Sequence, residues 1–136
     1  MIGLVIVSHS AKVSEGICDM VKQISLRDGR NALPVIPAGG TADGKLGTDP
    51  KLVLDAIQKA DQGDGVVVLA DLGSGVVSSQ AAVSMLNEPL RSKVKIADAP
   101  LVEGAIGAAI EAVSDSKTSL DLVVSTAEQA RAIHKK

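Results

Sequence analysis

The chain contains no phenylalanine, tyrosine or tryptophan, and only one cysteine and two histidines among 136 residues. Without aromatic rings there is no stacking platform for single-stranded nucleic acid. With 14 Lys and Arg against 16 Asp and Glu, there is also no basic surplus to neutralise a phosphate backbone. Nucleic acid is therefore not an expected partner. One cysteine permits neither an intrachain disulfide nor a cysteine-based zinc cluster. Cys18 falls on the apolar side of a predicted helix and reads as a small buried hydrophobe. The apolar start, Ile2 to Val7, is too short to cross a membrane and has no basic flank of the kind a signal peptide needs. A cytoplasmic protein that neither spans nor binds a membrane is expected.

The 46% hydrophobic content is therefore aliphatic, and 136 residues suffice for one well-buried core, so a single domain over 1–136 is expected. Ile2–Val7 reads as a strand covered on both faces. Ser10 then caps a helix whose apolar face carries Val13, Ile17, Met20, Val21 and Ile24 and which closes over Arg27–Asn31. Leu33–Ile36 is a second strand, and Pro37–Thr48 a long glycine-rich loop. Asp49 and Pro50 open a helix to about Ala60. Val66–Leu69 is a third strand, Gly73-Ser-Gly75 its turn, and a helix runs from about Val76 to Asn87. Val94–Ala97 is a fourth strand. Pro100 opens a helix with Leu101, Ala105, Ala109, Ile110 and Val113 inward, and Ser119 or Thr118 caps a last helix bearing Leu120, Val123, Val124 and Ala127.

Alternating strands and helices imply an α/β fold with an open, mainly parallel four-stranded sheet and helices on both faces. Ligands of such sheets sit beyond the carboxyl ends of the strands, where the strand order reverses. In the order 2-1-3-4, that point lies between the end of strand one, His9, and the end of strand three, Asp71. An aspartate accepting from one imidazole nitrogen fixes the tautomer and leaves the other nitrogen a lone pair for attack on phosphorus, proton transfer or metal binding. Ser8, Ser10, Gly39, Gly40, Thr41, Thr48 and Ser74 are placed to donate to a phosphoryl group. The bland alternatives stand beside these readings: His9 as a loop-end histidine, Asp71 as a turn cap, and the hydroxyl residues as caps and turns.

Competing motifs fail on chemistry. Gly39 to Lys45 spells G-x-x-x-x-G-K, but Leu46 stands where a P-loop needs a hydroxyl for magnesium. Gly73-Ser-Gly75 begins a dinucleotide fingerprint, but it follows the wrong strand and Ser78 replaces the third glycine. No acidic cluster follows strand one, as a receiver domain would need, and no nucleophile elbow is present. One well-placed histidine without a cysteine pair gives no zinc site, so no metal is expected.

Four segments in order, "VIVSHSAKVSEG", "PAGGTADGKLGTD", "VLADLGSG" and "APLVEGAIGAA", cover essentially the whole chain. Together they resemble the phosphotransfer subunits of phosphoenolpyruvate-dependent dihydroxyacetone kinases, whose IIA-type domain has the mannose-family phosphotransferase fold. That resemblance implies His9 as phosphoryl carrier, Asp71 as the residue that orients it, and Ser10, Gly39, Gly40, Thr41, Thr48 and Ser74 around the phosphoryl group. It implies a route from phosphoenolpyruvate through enzyme I and the phosphocarrier HPr to His9, and then to ADP held on the nucleotide-binding kinase subunit. ADP would thus reside on the partner, with no cofactor bound by this chain. It also implies a homodimer. Because the sequence stops at 136 residues, HPr is expected to be a separate protein. Two other functions remain open: a sugar-transport IIA domain that donates to a IIB domain, and a regulatory module switched by histidine phosphorylation.

Overall fold

The computed structural model describes residues 1–26, 33–114 and 117–136. The predicted helix closure over Arg27–Asn31 lies outside the described residues. The elements are β1 (Gly3–Ser8), α1 (Ala11–Ile24), β2 (Val35–Gly39), α2 (Pro50–Ala60), β3 (Val66–Ala70), α3 (Gly73–Ser84), β4 (Val94–Ile96), α4 (Leu101–Ser114) and α5 (Leu120–Gln129). The strands form one parallel sheet in the expected order β2-β1-β3-β4, and the alternation of elements with the aliphatic runs accounts for the parallel pairing.

Strand periodicity divides the core between the two faces of the sheet. Leu4 and Ile6 of β1, with Val67 and Leu69 of β3, pack under α1, α4 and α5. Val5 and Val7, with Val66, Val68 and Ala70, pack under α2 and α3. All six residues of β1 are buried, which is why its sequence reads as a run and not an alternation. Burying each of these aliphatic side chains contributes about 1.5–3 kcal/mol.

The helix caps follow from side-chain chemistry. Ser10 Oγ accepts from Val13 N, Asp49 Oδ1 accepts from Lys51 N ahead of Pro50, and Ser119 Oγ, not Thr118, accepts from Leu122 N.

Several boundaries and faces differ from the sequence expectation. β2 begins at Val35 and runs through Pro37 to Gly39, so the glycine-rich loop starts later than predicted. Pro37 is tolerated because β2 is an edge strand, whose missing N–H removes no central ladder bond. α3 begins at Gly73 and ends at Ser84, so Gly73-Ser-Gly75 is a helical first turn. Leu72 is extended and its carbonyl already accepts from Gly75 N and Val76 N. On α1 the buried strip is Ser14, Ile17, Cys18 and Val21, while Val13, Met20 and Ile24 are half-exposed at its rim. On α4 small residues (Gly104, Ala105, Ala108, Ala109, Ala112) face inward and Ile110 faces out. A Cβ on Gly104 would press on Ala99 and Leu69, so small side chains let α4 approach the sheet.

Cys18 sits in the core under α1, and burial is the main cause that pushes its thiol from 9.0 to about 11. The thiolate is the reactive form, so the native protein should resist iodoacetamide at neutral pH and react only after unfolding. A raised folded value means the native state holds this proton longer than the unfolded chain. The contribution of Cys18 is thus intact below pH 9.0 and is lost as pH rises towards about 11. Alkylation kinetics with and without denaturant test this; rapid native labelling would refute it.

Candidate functional site

Parallel register brings the ends of β1, β2 and β3 to one level. Ser8 pairs with Gly39 and Val7 with Ala70, so His9 and Asp71 are the first residues beyond the sheet on neighbouring strands. Asp71 N donates to Val7 O and Gly40 N donates to Ser8 O, which extends the ladder into both loops.

Asp71 and His9 meet through their side chains. His9 Nδ1 lies 2.9 Å from Asp71 Oδ1, and the same oxygen accepts from Leu72 N at 2.8 Å. Oδ2 accepts from His9 N at 3.0 Å and from Ser8 Oγ at 3.0 Å. Burial is the largest single influence on Asp71 and pushes its carboxyl up. The hydrogen bonds from the His9 backbone, the His9 ring and Ser8 together outweigh it and hold the carboxyl below 3.8. An ionised carboxylate only accepts, so Nδ1 carries the ring proton. In the neutral ring Nε2 then has the lone pair, which accepts from Ser74 Oγ in the first turn of α3. The His9 side chain is 27% exposed, so the ring is held yet reachable from outside.

The other predicted residues divide into two groups. Thr48 reaches the same corner, with its Oγ1 2.6 Å from Ser78 Oγ and near Ser74 O. Ser10, Gly39, Gly40 and Thr41 have architectural tasks. Ser10 caps α1, and a Cβ on Gly39 would collide with Ser14 Oγ and the Ser10 backbone. Gly40 has φ +70, which glycine adopts without strain, and its N–H is taken by Ser8 O. Thr41 is hydrogen-bonded to Asp43 and Lys45 inside its own turn.

Such an arrangement of a carboxylate-oriented imidazole, a free ring nitrogen and a nearby hydroxyl suits nucleophilic transfer of a group carried on nitrogen. The family model for EIIA-man, described as the PTS system fructose IIA component, matches residues 3–124. The chain belongs to this family.

This IIA domain is 36% identical over 121 residues to a protein of Listeria innocua serovar 6a named PEP-dependent dihydroxyacetone kinase 2, phosphoryl donor subunit DhaM. The match covers 88% of this chain and 94% of that one. It is 34% identical over 132 residues to the phosphoryl donor subunit DhaM of Escherichia coli K12, covering 96% of this chain but 27% of that longer protein. Among solved structures, a protein of unknown function superposes with a TM-score of 0.80 at 36% identity, covering 99% of this chain and 96% of that one. The phosphotransferase system component EIIA from Streptococcus agalactiae superposes with a TM-score of 0.64 at 21% identity and shares the fold, over 99% of this chain and 97% of that one.

The site also contains residues whose part sequence reading missed. Ser8 is buried against Asp71 and does not line the crevice. Gly47 N donates to His9 O at 2.9 Å, tying the glycine-rich loop to the histidine backbone. Ser78 partners Thr48. Ser8 adjoins His9 in sequence, but its turn towards Asp71, like the contacts of Gly47 and Ser78, is marked only by proximity in space. The P-loop-like stretch is the end of β2 and a turn, with no helix until Pro50, and Leu46 projects into solvent at 80% exposure. Among the described residues no helix is long and apolar enough to cross a membrane.

Proposed function

We propose that this IIA domain is the phosphohistidine carrier of a phosphoenolpyruvate-dependent dihydroxyacetone kinase, taking phosphate from phospho-HPr and passing it to ADP on the kinase subunit. The observation that carries the reading is the 2.9 Å Nδ1–Asp71 bond, which leaves Nε2 as the nucleophilic nitrogen at the mouth of the site. The names of the relatives in Listeria innocua and Escherichia coli support the kinase system over other users of the fold.

The chemistry balances on the ring. The Nε2 lone pair attacks phosphorus, the bond to the histidine of HPr breaks, and that histidine leaves with its electron pair. Positive charge develops on the ring of His9 as the new N–P bond forms, and the Asp71 carboxylate at Nδ1 stabilises it. Ser74 Oγ and the first turn of α3, which has no side-chain cap, lie on the phosphoryl side. In the second step a β-phosphate oxygen of ADP attacks phosphorus, the N–P bond breaks, and Nε2 recovers its lone pair. The two reactants must be in line with water excluded. A partially exposed ring on a chain without a P-loop gains both from the surface of a partner.

A sugar-transport role is the second reading, favoured by the fructose IIA description of the family. The acceptor separates the two. Phosphorylated domain mixed with free ADP should yield almost no ATP, ADP-loaded kinase subunit should discharge it rapidly, and a mannose-type IIB domain should do so poorly. Chromatographic measurement of ATP and of residual phosphoprotein reads all three. Efficient phosphorylation of free ADP, or faster discharge by IIB, would overturn the kinase assignment. A homodimer, read by sedimentation, is the expected assembly.

A further inference from the structure

Ser8 closes β1 with 1% of its surface exposed, so its hydroxyl is withdrawn from the crevice and donates nothing to a phosphoryl group there. Its hydrogen bonds run in one direction. Ser10 N–H donates to Ser8 Oγ at 3.1 Å, which occupies a lone pair and leaves the hydroxyl proton for Asp71 Oδ2 at 3.0 Å. Such a chain is self-reinforcing, because an oxygen that accepts becomes a better donor. The backbone N–H groups of His9 and Leu72 also hold Asp71, one on each oxygen, and would remain whatever side chains stood at 8, 9 or 72. Among the described residues, Ser8 is the side chain besides the His9 ring that contacts the carboxylate, and it adds a second donor on Oδ2.

We infer that Ser8 is a positioning residue for phosphoryl transfer, pinning Oδ2 of Asp71 so that Oδ1 meets Nδ1 of His9 and the lone pair stays on Nε2. The inference rests on the carrier role proposed for His9. Ser8 acts through Asp71: without its hydroxyl, Oδ2 keeps the His9 backbone N–H as its one donor, the carboxylate is aligned less tightly with the ring, and the ring proton redistributes between Nδ1 and Nε2. A ring protonated on Nε2 has no lone pair facing phosphorus.

Three variants test this: Ser8→Ala, Ser8→Thr and, as a control, Ser25→Ala. Ser25 is another buried serine, whose Oγ donates to Val21 O at the end of α1. Two properties are measured: the rate of phosphorylation by phospho-HPr, and the tautomer of neutral His9 from its ring ¹⁵N shifts in unphosphorylated protein. Ser8→Ala should slow phosphorylation on the order of tenfold, the scale seen when an orienting hydrogen bond behind a working group is removed. Its ring should show a mixture of tautomers where the wild type shows Nδ1–H. Ser8→Thr keeps the hydroxyl and should keep the wild-type tautomer, and Ser25→Ala should change neither property. A wild-type tautomer and rate in Ser8→Ala would overturn the inference, as would a tautomer mixture in Ser25→Ala. The tautomer is read without phosphate, so the two failures separate. Wild-type protein that never accepts phosphate overturns the carrier reading, and a mixed tautomer in Ser8→Ala then places the fault there and not in the Ser8–Asp71 contact.

Discussion

Replacing His9 by alanine should abolish uptake of phosphate from phosphoenolpyruvate, enzyme I and HPr, while the chain stays folded. The ring is the nucleophile of the proposed reaction, and no neighbouring group can take its place. Ser74 Oγ loses its hydrogen-bond partner, Nε2, once the imidazole is gone. Asp71 is held by donors on both oxygens. His134 stands in the exposed carboxyl-terminal tail, so His134→Ala should transfer phosphate at the wild-type rate. The cost of His9→Ala in stability is small, about 1–2 kcal/mol, because the lost ring bond is partly exposed and the Asp71 carboxylate keeps three of its four donors. Radiolabelled phosphate followed by peptide mapping reads the result. The label should be lost in acid and kept in base, as a phosphoramidate is and a seryl ester is not. Label on the His9→Ala protein, or on His134 in the wild type, would remove the central claim.

Asp71→Asn should slow phosphorylation by about 10²–10⁴-fold, with each factor of ten corresponding to about 1.4 kcal/mol of barrier. Two effects act together. The amide cannot stabilise positive charge on the ring, and its NH₂ can turn towards Nδ1 and hold the tautomer whose proton is on Nε2. The same substitution has a signature in acid. The folded carboxyl lies below 3.8, so Asp71 contributes stability that is fully present above pH 3.8 and is lost as pH falls through the folded value. That part of the acid destabilisation should be missing from Asp71→Asn. Stopped-flow transfer rates and denaturant curves at neutral and acid pH measure both. Near-normal transfer by the Asn variant would reduce Asp71 to a turn cap.

The fold and the central pair were legible in the sequence because both depend on local pattern and chain order. The short aliphatic run Ile2–Val7 reads as a strand covered on both faces, and His9 comes just after it. The alternation of β and α elements selects parallel strands, whose ends share one edge, and the order 2-1-3-4 then puts Asp71 beside His9. Ser10, Asp49 and Ser119 announce their helices because capping is an interaction over two or three residues.

Other features belong to tertiary structure. Whether Val13 or Cys18 faces the sheet depends on how α1 is rolled against it, and the 3.6-residue period of an aliphatic helix admits either. Pro37 reads as the start of a loop until β2 is known to be an edge strand. Gly39 and Gly40 read as glycines of a phosphate-binding loop, and only the fold shows that one also admits the approach of Ser14 and the other a left-handed turn. The division among the hydroxyl residues is decided in the same way. Ser74 reaches Nε2, Ser8 turns inward to Asp71 across 63 positions, and Thr48 finds Ser78 across 30. Sequence alone determined alternating strands and helices, and with them a parallel sheet in which the order 2-1-3-4 would bring a histidine and an aspartate together at the switch point. Only the folded chain decided which serine touches the ring and which holds the aspartate, because a hydrogen bond depends on the direction of each side chain as well as on neighbouring strands.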